Sequence, residues 1–262
     1  MSKKQISEIL IACLAVIFFG LWWFGRITGT YLASQQDAVR GEWIASNAPT
    51  GGKYAYLTFD DGPSDNTDAI LDVLKEKKVK ATFFVVGKEG SEAKRRYLRI
   101  LNEGHTLGMH SYSHDYEQIY RSVDDFAKDI KKLDHYLYEI TGKHPTTFRF
   151  PGGSSNSIVG DIKPYIEWIE SQGYEYYDWN AVSGDALDFH VSADTLNQNI
   201  LKDIHGQNSV IILMHDLSET VHTTEALPKL IEELQNRGYE LRAISETTEA
   251  IHHVSIKEQS SY

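Results

Sequence analysis

The chain has 262 residues, 41% hydrophobic and 24% charged, the balance of a globular protein with enough core for one large domain. Its 26 Lys and Arg side chains face 37 Asp and Glu, and the formal charge of −11 argues against a nucleic-acid partner, because phosphate backbones are gripped by dense basic side chains. A single cysteine, Cys13, excludes an intramolecular disulfide and a thiolate cage, so any metal must rest on His and carboxylate groups.

Residues 1–8 contain Lys3 and Lys4 and read as a short cytoplasmic tail. From Ile9 to Gly25 there are 17 residues without a charge, which at helical rise span roughly 25 Å, near the short limit for a bilayer. Trp22 and Trp23 close that stretch, where amphipathic rings favour the headgroup region. The expectation is a single-pass transmembrane anchor over 9–25 with the remainder outside the cytoplasm. A cleaved signal peptide, which would leave a secreted protein, is the rival reading. No small-x-small site follows Gly25 to favour it.

Residues 26–53 turn polar and end in "NAPTGGK", a juxtamembrane linker. A domain is expected over 54–248 and a loosely ordered tail over 249–262. Within the domain, β-rich runs alternate with segments of helical period: "YAYLTF", "TDAILDVLKEKK", "ATFFVVG", "SEAKRRYLRILNEG", "HTLGMH", "VDDFAKDIKKLDHYLYEITG", "TTFRF", "IKPYIEWIESQG", "YEYYDWN", "ADTLNQNILKDI", "SVIILMH", "TEALPKLIEELQNRG" and "ELRAI". That is about seven strands. Alternation of this kind predicts a parallel sheet, since each crossover needs a connection that a helix supplies. An open doubly wound sheet and a closed barrel both satisfy it. Polar residues at the C-terminal ends of five strands favour the barrel, where all such ends share one rim.

Those ends carry the chemistry. Asp60 and Asp61 stand side by side where Gly62-Pro63 stops the first strand, a place in which buried carboxylates need a partner or a metal. Taken alone, the pair reads more readily as a capping turn. His110 and His114 have the i, i+4 spacing that places two imidazoles on one side of a helical turn. Ser111 stands where zinc proteases of that spacing have Glu, so a base must come from elsewhere. Two His and one Asp leave a divalent ion open positions, and the other Asp is free to take a proton.

"TFDDGP", "HSYSH", "RFPGG" and "LMHD", in this order, resemble the NodB-homology polysaccharide deacetylases of carbohydrate esterase family 4, over roughly Lys53 to Ile244. The resemblance implies a distorted (β/α) barrel with fewer than eight full units. It implies a divalent metal, usually Zn2+ with Co2+, Mn2+ or Ni2+ as alternatives, on Asp61, His110 and His114. It also implies Asp60 as general base, Arg149 as the group that holds it, and His215 as the acid that protonates the leaving amine. Backbone N–H groups near Gly152 would stabilise the oxyanion.

Two stretches depart from the pattern. Many members have Arg-Pro-Pro-Tyr where this chain has Arg149-Phe150-Pro151-Gly152. For the Asp that tunes the acid histidine and the Trp that lines the acetate pocket, "YYDWNAVSGDA" offers Asp178 or Asp185 and Trp179. The other histidines, among them His105, His144, His252 and His253, lack partners at ligand spacing and read as structural or surface groups. The expected activity is removal of N-acetyl groups from a GlcNAc-containing polysaccharide, with peptidoglycan favoured over chitin or acetylxylan. A glycan-binding domain that has kept the fold without the chemistry is the non-enzymatic alternative.

Overall fold

Along β1 (Lys53–Asp60) the side chains sort by a period of two. Ala55, Leu57 and Phe59 join the large core beneath the helices, while Tyr56 packs with Phe84, Tyr177, Ile211 and Ile244 on the opposite face. The computed structural model describes residues 52–256. β1 lies at the centre of an all-parallel sheet with β2 (Thr82–Val86), β3 (Thr106–Ser111), β4 (Thr147–Phe148), β5 (Glu175–Tyr176), β6 (Ala181–Val182), β7 (Ser209–His215) and β8 (Tyr239–Leu241). The order is β5-β4-β3-β2-β1-β7-β6, with β8 paired to the first residues of β1. The sheet curls into a half-barrel.

Helices fill the crossovers: α1 (Thr67–Glu76), α2 (Ser91–Asn102), α3 (Tyr116–Ile119), α4 (Val123–Thr141), α5 (Lys163–Ser171), α6 (Ala193–Asp203) and α7 (Val221–Asn236). The long α4 shows why these segments are helical. Ser122 caps its start by accepting the Asp125 N–H, and Gly142 ends it at φ 68°, a left-handed conformation that only glycine adopts freely. Between those ends Phe126, Ile130, Leu133 and Leu137 recur at helical spacing and are buried, each worth about 1.5–3 kcal/mol of apolar transfer.

The curled parallel sheet is consistent with the distorted (β/α) barrel of about seven strands expected from the sequence, with one short strand added. There are eight strands, because "YEYYDWN" is followed by a further two-residue strand, β6, which pairs with β7. A strand that short has no alternation to read. Among the described residues nothing pairs β5 with β6, so the sheet stays open on that side. The tail expected over 249–262 differs too, for as far as it is described it is tied to the domain together with the segment that leads into it from β8. Ile244 exchanges hydrogen bonds with Thr82 and Thr106, Ile251 O accepts Asp178 N–H, and Val254 N–H reaches Ser154 Oγ. The sequence there lacks periodicity because the segment is a strap, held by its backbone. No described helix is long and apolar enough to cross a membrane, and the anchor expected over 9–25 lies outside the described residues.

Candidate active site

β1 pairs Asp60 directly with Phe84 on one side and His215 on the other, so the ends of β1, β2 and β7 lie level. On β3 the register skips His110, since Val85 pairs with Met109 and Val86 with Ser111. Such an irregularity re-aims the extra side chain. His110 thereby points at the mouth of the half-barrel, where its Nε2 stands 3.5 Å from Asp61 Oδ1. His114 Nε2 is 3.1 Å from the same oxygen. One donor atom from each of Asp61, His110 and His114 lies within 4.8 Å of the other two.

The backbone is bent to achieve this. Asp61 has φ 73° and His114 φ 52°, left-handed conformations that cost non-glycine residues about 1–3 kcal/mol each. The loop carrying His114 is held from α4. Asp129 accepts Ser111 Oγ and Tyr112 N–H through Oδ2, both at 2.7 Å, and Ser113 N–H through Oδ1 at 3.0 Å. Ser111 Oγ in turn accepts His114 N–H at 2.9 Å. On the other side Asp216, buried and pushed up to about 6 by its burial, accepts Ser64 Oγ and Thr67 Oγ1 and so fixes the turn after Asp61. Gly62 is required there because a Cβ would sit 2.3 Å from Asp216 Oδ2.

A cation fits these three side chains. His110 Nδ1 lies 2.7 Å from Arg149 O, a contact that uses its ring N–H and leaves the Nε2 lone pair facing Asp61. Burial drives the His110 pKa down to about 3, against the pull of Asp61, so the ring is neutral near pH 7. Asp61 Oδ1 is buried with no hydrogen-bond donor. The His110 lone pair thus faces an Asp61 oxygen that lacks a donor, which is costly unless a positive ion sits there.

Two further pairs flank the trio. Arg149 is fully buried, donating through Nη1 to Asp60 Oδ1 at 2.9 Å and to Thr58 Oγ1 at 2.7 Å. Its Nε and Nη2 reach the carbonyls of Tyr177 and Asp178, and its guanidinium lies 4.2 Å over the Phe84 ring. Burial raises the pKa of Asp60 and Arg149 opposes the rise. Opposite, His215 Nδ1 is 2.8 Å from Asp185 Oδ1, while Asp185 Oδ2 accepts His215 N–H and Thr223 Oγ1. Burial alone would lower His215 and raise Asp185. Their mutual contact outweighs it, leaving His215 raised and Asp185 lowered.

Asp60, Asp61, His110, His114, Gly152, Trp179, Asp185 and His215 line one cavity of about 340 Å³, together with Tyr116, Leu187 and Leu213. Arg149 sits behind Asp60. Of the two acids proposed beside His215, Asp185 makes the contact. Asp178 is a correction: it is fully buried and accepts Ser154 N–H, Ser154 Oγ and His253 N–H, which pins the Gly152–Gly153 turn to the strap. Gly153 lets the turn close, since a Cβ there would meet Trp179 at 2.8 Å. Sequence reading missed Asp129 and Tyr116, and it named Asp216 only within the strand-end motif, without its role in holding the turn after Asp61. Asp216 directly follows the acid histidine and could have been suspected, whereas Asp129 looks like any charged residue on a helix face.

Two imidazoles with a carboxylate, a second carboxylate on a buried arginine and a histidine on a buried aspartate form a site for metal-assisted hydrolysis. Residues 47–176 match the model of the polysaccharide deacetylase family. A peptidoglycan-N-acetylglucosamine deacetylase of Bacillus cereus is 32% identical over 93% of this chain and 92% of its own length. YheN of Bacillus subtilis is 35% identical over 77% of this chain and 71% of its own. Among solved structures, the catalytic domain of a peptidoglycan N-acetylglucosamine deacetylase from Eubacterium rectale superposes with a TM-score of 0.74 at 33% identity, covering 79% of this chain and 96% of that one. The chain belongs to the polysaccharide deacetylase family and is an enzyme of that class.

Proposed function

We propose that the chain removes N-acetyl groups from GlcNAc residues of peptidoglycan, with zinc on Asp61, His110 and His114, as a distorted (β/α)-barrel enzyme anchored to the outer face of the cell membrane through residues 9–25. What carries the reading is the meeting of the Asp61–His110–His114 trio with the Asp60–Arg149 and His215–Asp185 pairs around one cavity. The relatives named for peptidoglycan support the substrate, and the uncharged stretch from Ile9 to Gly25 supports the anchor.

When bound, a divalent ion polarises the acetamido carbonyl and makes water a stronger nucleophile near neutral pH. Asp60 takes the proton from the attacking water. Its Oδ1 is occupied by Arg149, and its Oδ2 lies 3.9 Å from His110 Nε2, facing the reaction. Water oxygen adds to the carbonyl carbon, the C–N bond breaks, and acetate leaves. The glucosamine nitrogen departs with a proton from His215 Nε2, since His215 Nδ1 is engaged by Asp185 and the raised pKa keeps the ring charged to higher pH. Gly152, at φ 76°, offers its N–H to the carbonyl oxygen, and Trp179 and Leu213 enclose the methyl group.

The test is acetate release from N-acetylated peptidoglycan, chitooligosaccharide and acetylxylan, assayed side by side with membrane and soluble fractions of cells producing the full chain. Release from peptidoglycan in the membrane fraction is expected. Activity on acetylxylan alone would overturn the substrate, and activity confined to the soluble fraction would overturn the anchor.

A further inference from the structure

Tyr116 lines the cavity that holds the Asp61–His110–His114 trio, and nothing in the reaction as described uses it. Its ring stands edge-on to His114, with centroids 5.2 Å apart and planes at 86°. It begins the one-turn helix α3, which Asp115 caps by accepting Glu117 N–H and Gln118 N–H. The same turn is fastened to the glycine loop, because Tyr120 OH donates to Pro151 O at 2.8 Å. Tyr116 is therefore held on both sides. Its hydroxyl, in contrast, has no hydrogen-bond partner among the described residues, although tyrosine hydroxyls at half-buried sites usually find one.

Gly152 explains how the ring gets in. With φ 76°, this residue is in a glycine conformation, and a Cβ there would lie 3.2 Å from Tyr116 Cε1 and 3.3 Å from its hydroxyl oxygen. The absent side chain leaves the space that the phenol fills. One free hydroxyl thus lies next to the Gly152 backbone, on a ring that lines the cavity beside His114 of the trio.

Resting on the deacetylase reading, we propose that the Tyr116 hydroxyl is a second donor to the acetamido oxygen, acting beside the Gly152 N–H as negative charge develops there. Tyr116 keeps its proton throughout and only donates a hydrogen bond. A donor that strengthens as charge builds acts on the transition state more than on the bound substrate, so its loss appears in kcat. Gly152 and Tyr116 act as a unit, the glycine making room and the phenol filling it.

The test measures kcat, KM and metal content of Tyr116→Phe and Gly152→Ala on an N-acetylglucosamine oligomer. Tyr116→Phe is expected to lose about 10²-fold in kcat, the size typical of one oxyanion donor, with KM and metal content unchanged. Gly152→Ala, which displaces the ring, should show a loss of at least that size, and the double variant should be no worse than the weaker single. Wild-type activity in Tyr116→Phe overturns the inference while leaving the deacetylase reading intact. So does a rise in KM alone, which marks a sugar contact, or a loss of metal, which marks a prop for His114. A metal-loaded wild-type protein that releases no acetate overturns the deacetylase reading, and this inference with it.

Discussion

Asp60→Asn is expected to fold, to keep its metal and to lose turnover by about 10²–10⁴-fold, the usual range for removing a general base. Arg149 can still donate to the amide oxygen at the position of Oδ1, so the 2.9 Å contact survives, and Asp61, His110 and His114 are untouched. What disappears is the carboxylate oxygen Asp60 Oδ2, which faces the cavity beside the trio and takes the proton of the attacking water. A steady-state assay of acetate release, paired with metal analysis of the same sample, checks this. Near-normal turnover in Asp60→Asn would remove Asp60 from the base role.

Arg149→Met is expected to destabilise the domain by about 3–5 kcal/mol, because it strands the Asp60 carboxylate in the interior without its partner. The lost contacts compound this, as Thr58 Oγ1 and the carbonyls of Tyr177 and Asp178 each lose a donor. Urea unfolding of the domain measures the cost. Adding Asp60→Asn to Arg149→Met should recover part of it, since the stranded charge is then gone, and the two changes should be far from additive. Additivity would mean that the pair is weakly coupled and that Arg149 serves mainly to tie β4 to the strands around it.

The reach of sequence reading follows from what each residue depends on. Strand ends are local features: Gly62-Pro63 stops β1 and the apolar run of β7 stops at His215, so the rim and its polar groups could be named in advance. Asp60, Asp61, His110, His114, Arg149, Trp179 and His215 all border or back the cavity for that reason. The choice between Asp178 and Asp185 was not legible, because it turns on which loop carboxylate swings toward β7 and which sinks beneath the glycine turn. β6 is set by pairing with β7 and carries no pattern of its own. The strap after β8 is held by backbone and single side-chain bonds at sequence separations of 75 to 162, which no local window can register.

The central claim is that Asp61, His110 and His114 together hold one divalent ion. Metal analysis of the purified domain and of its His110→Ala variant, each read beside zinc titration by competition with a chelator, tests it most directly. The account predicts one ion per chain in the wild type, and for His110→Ala a metal content near zero with affinity weakened by at least about tenfold. A wild-type domain that takes up no divalent ion, or a His110→Ala variant that holds its ion as tightly as the parent, would contradict it.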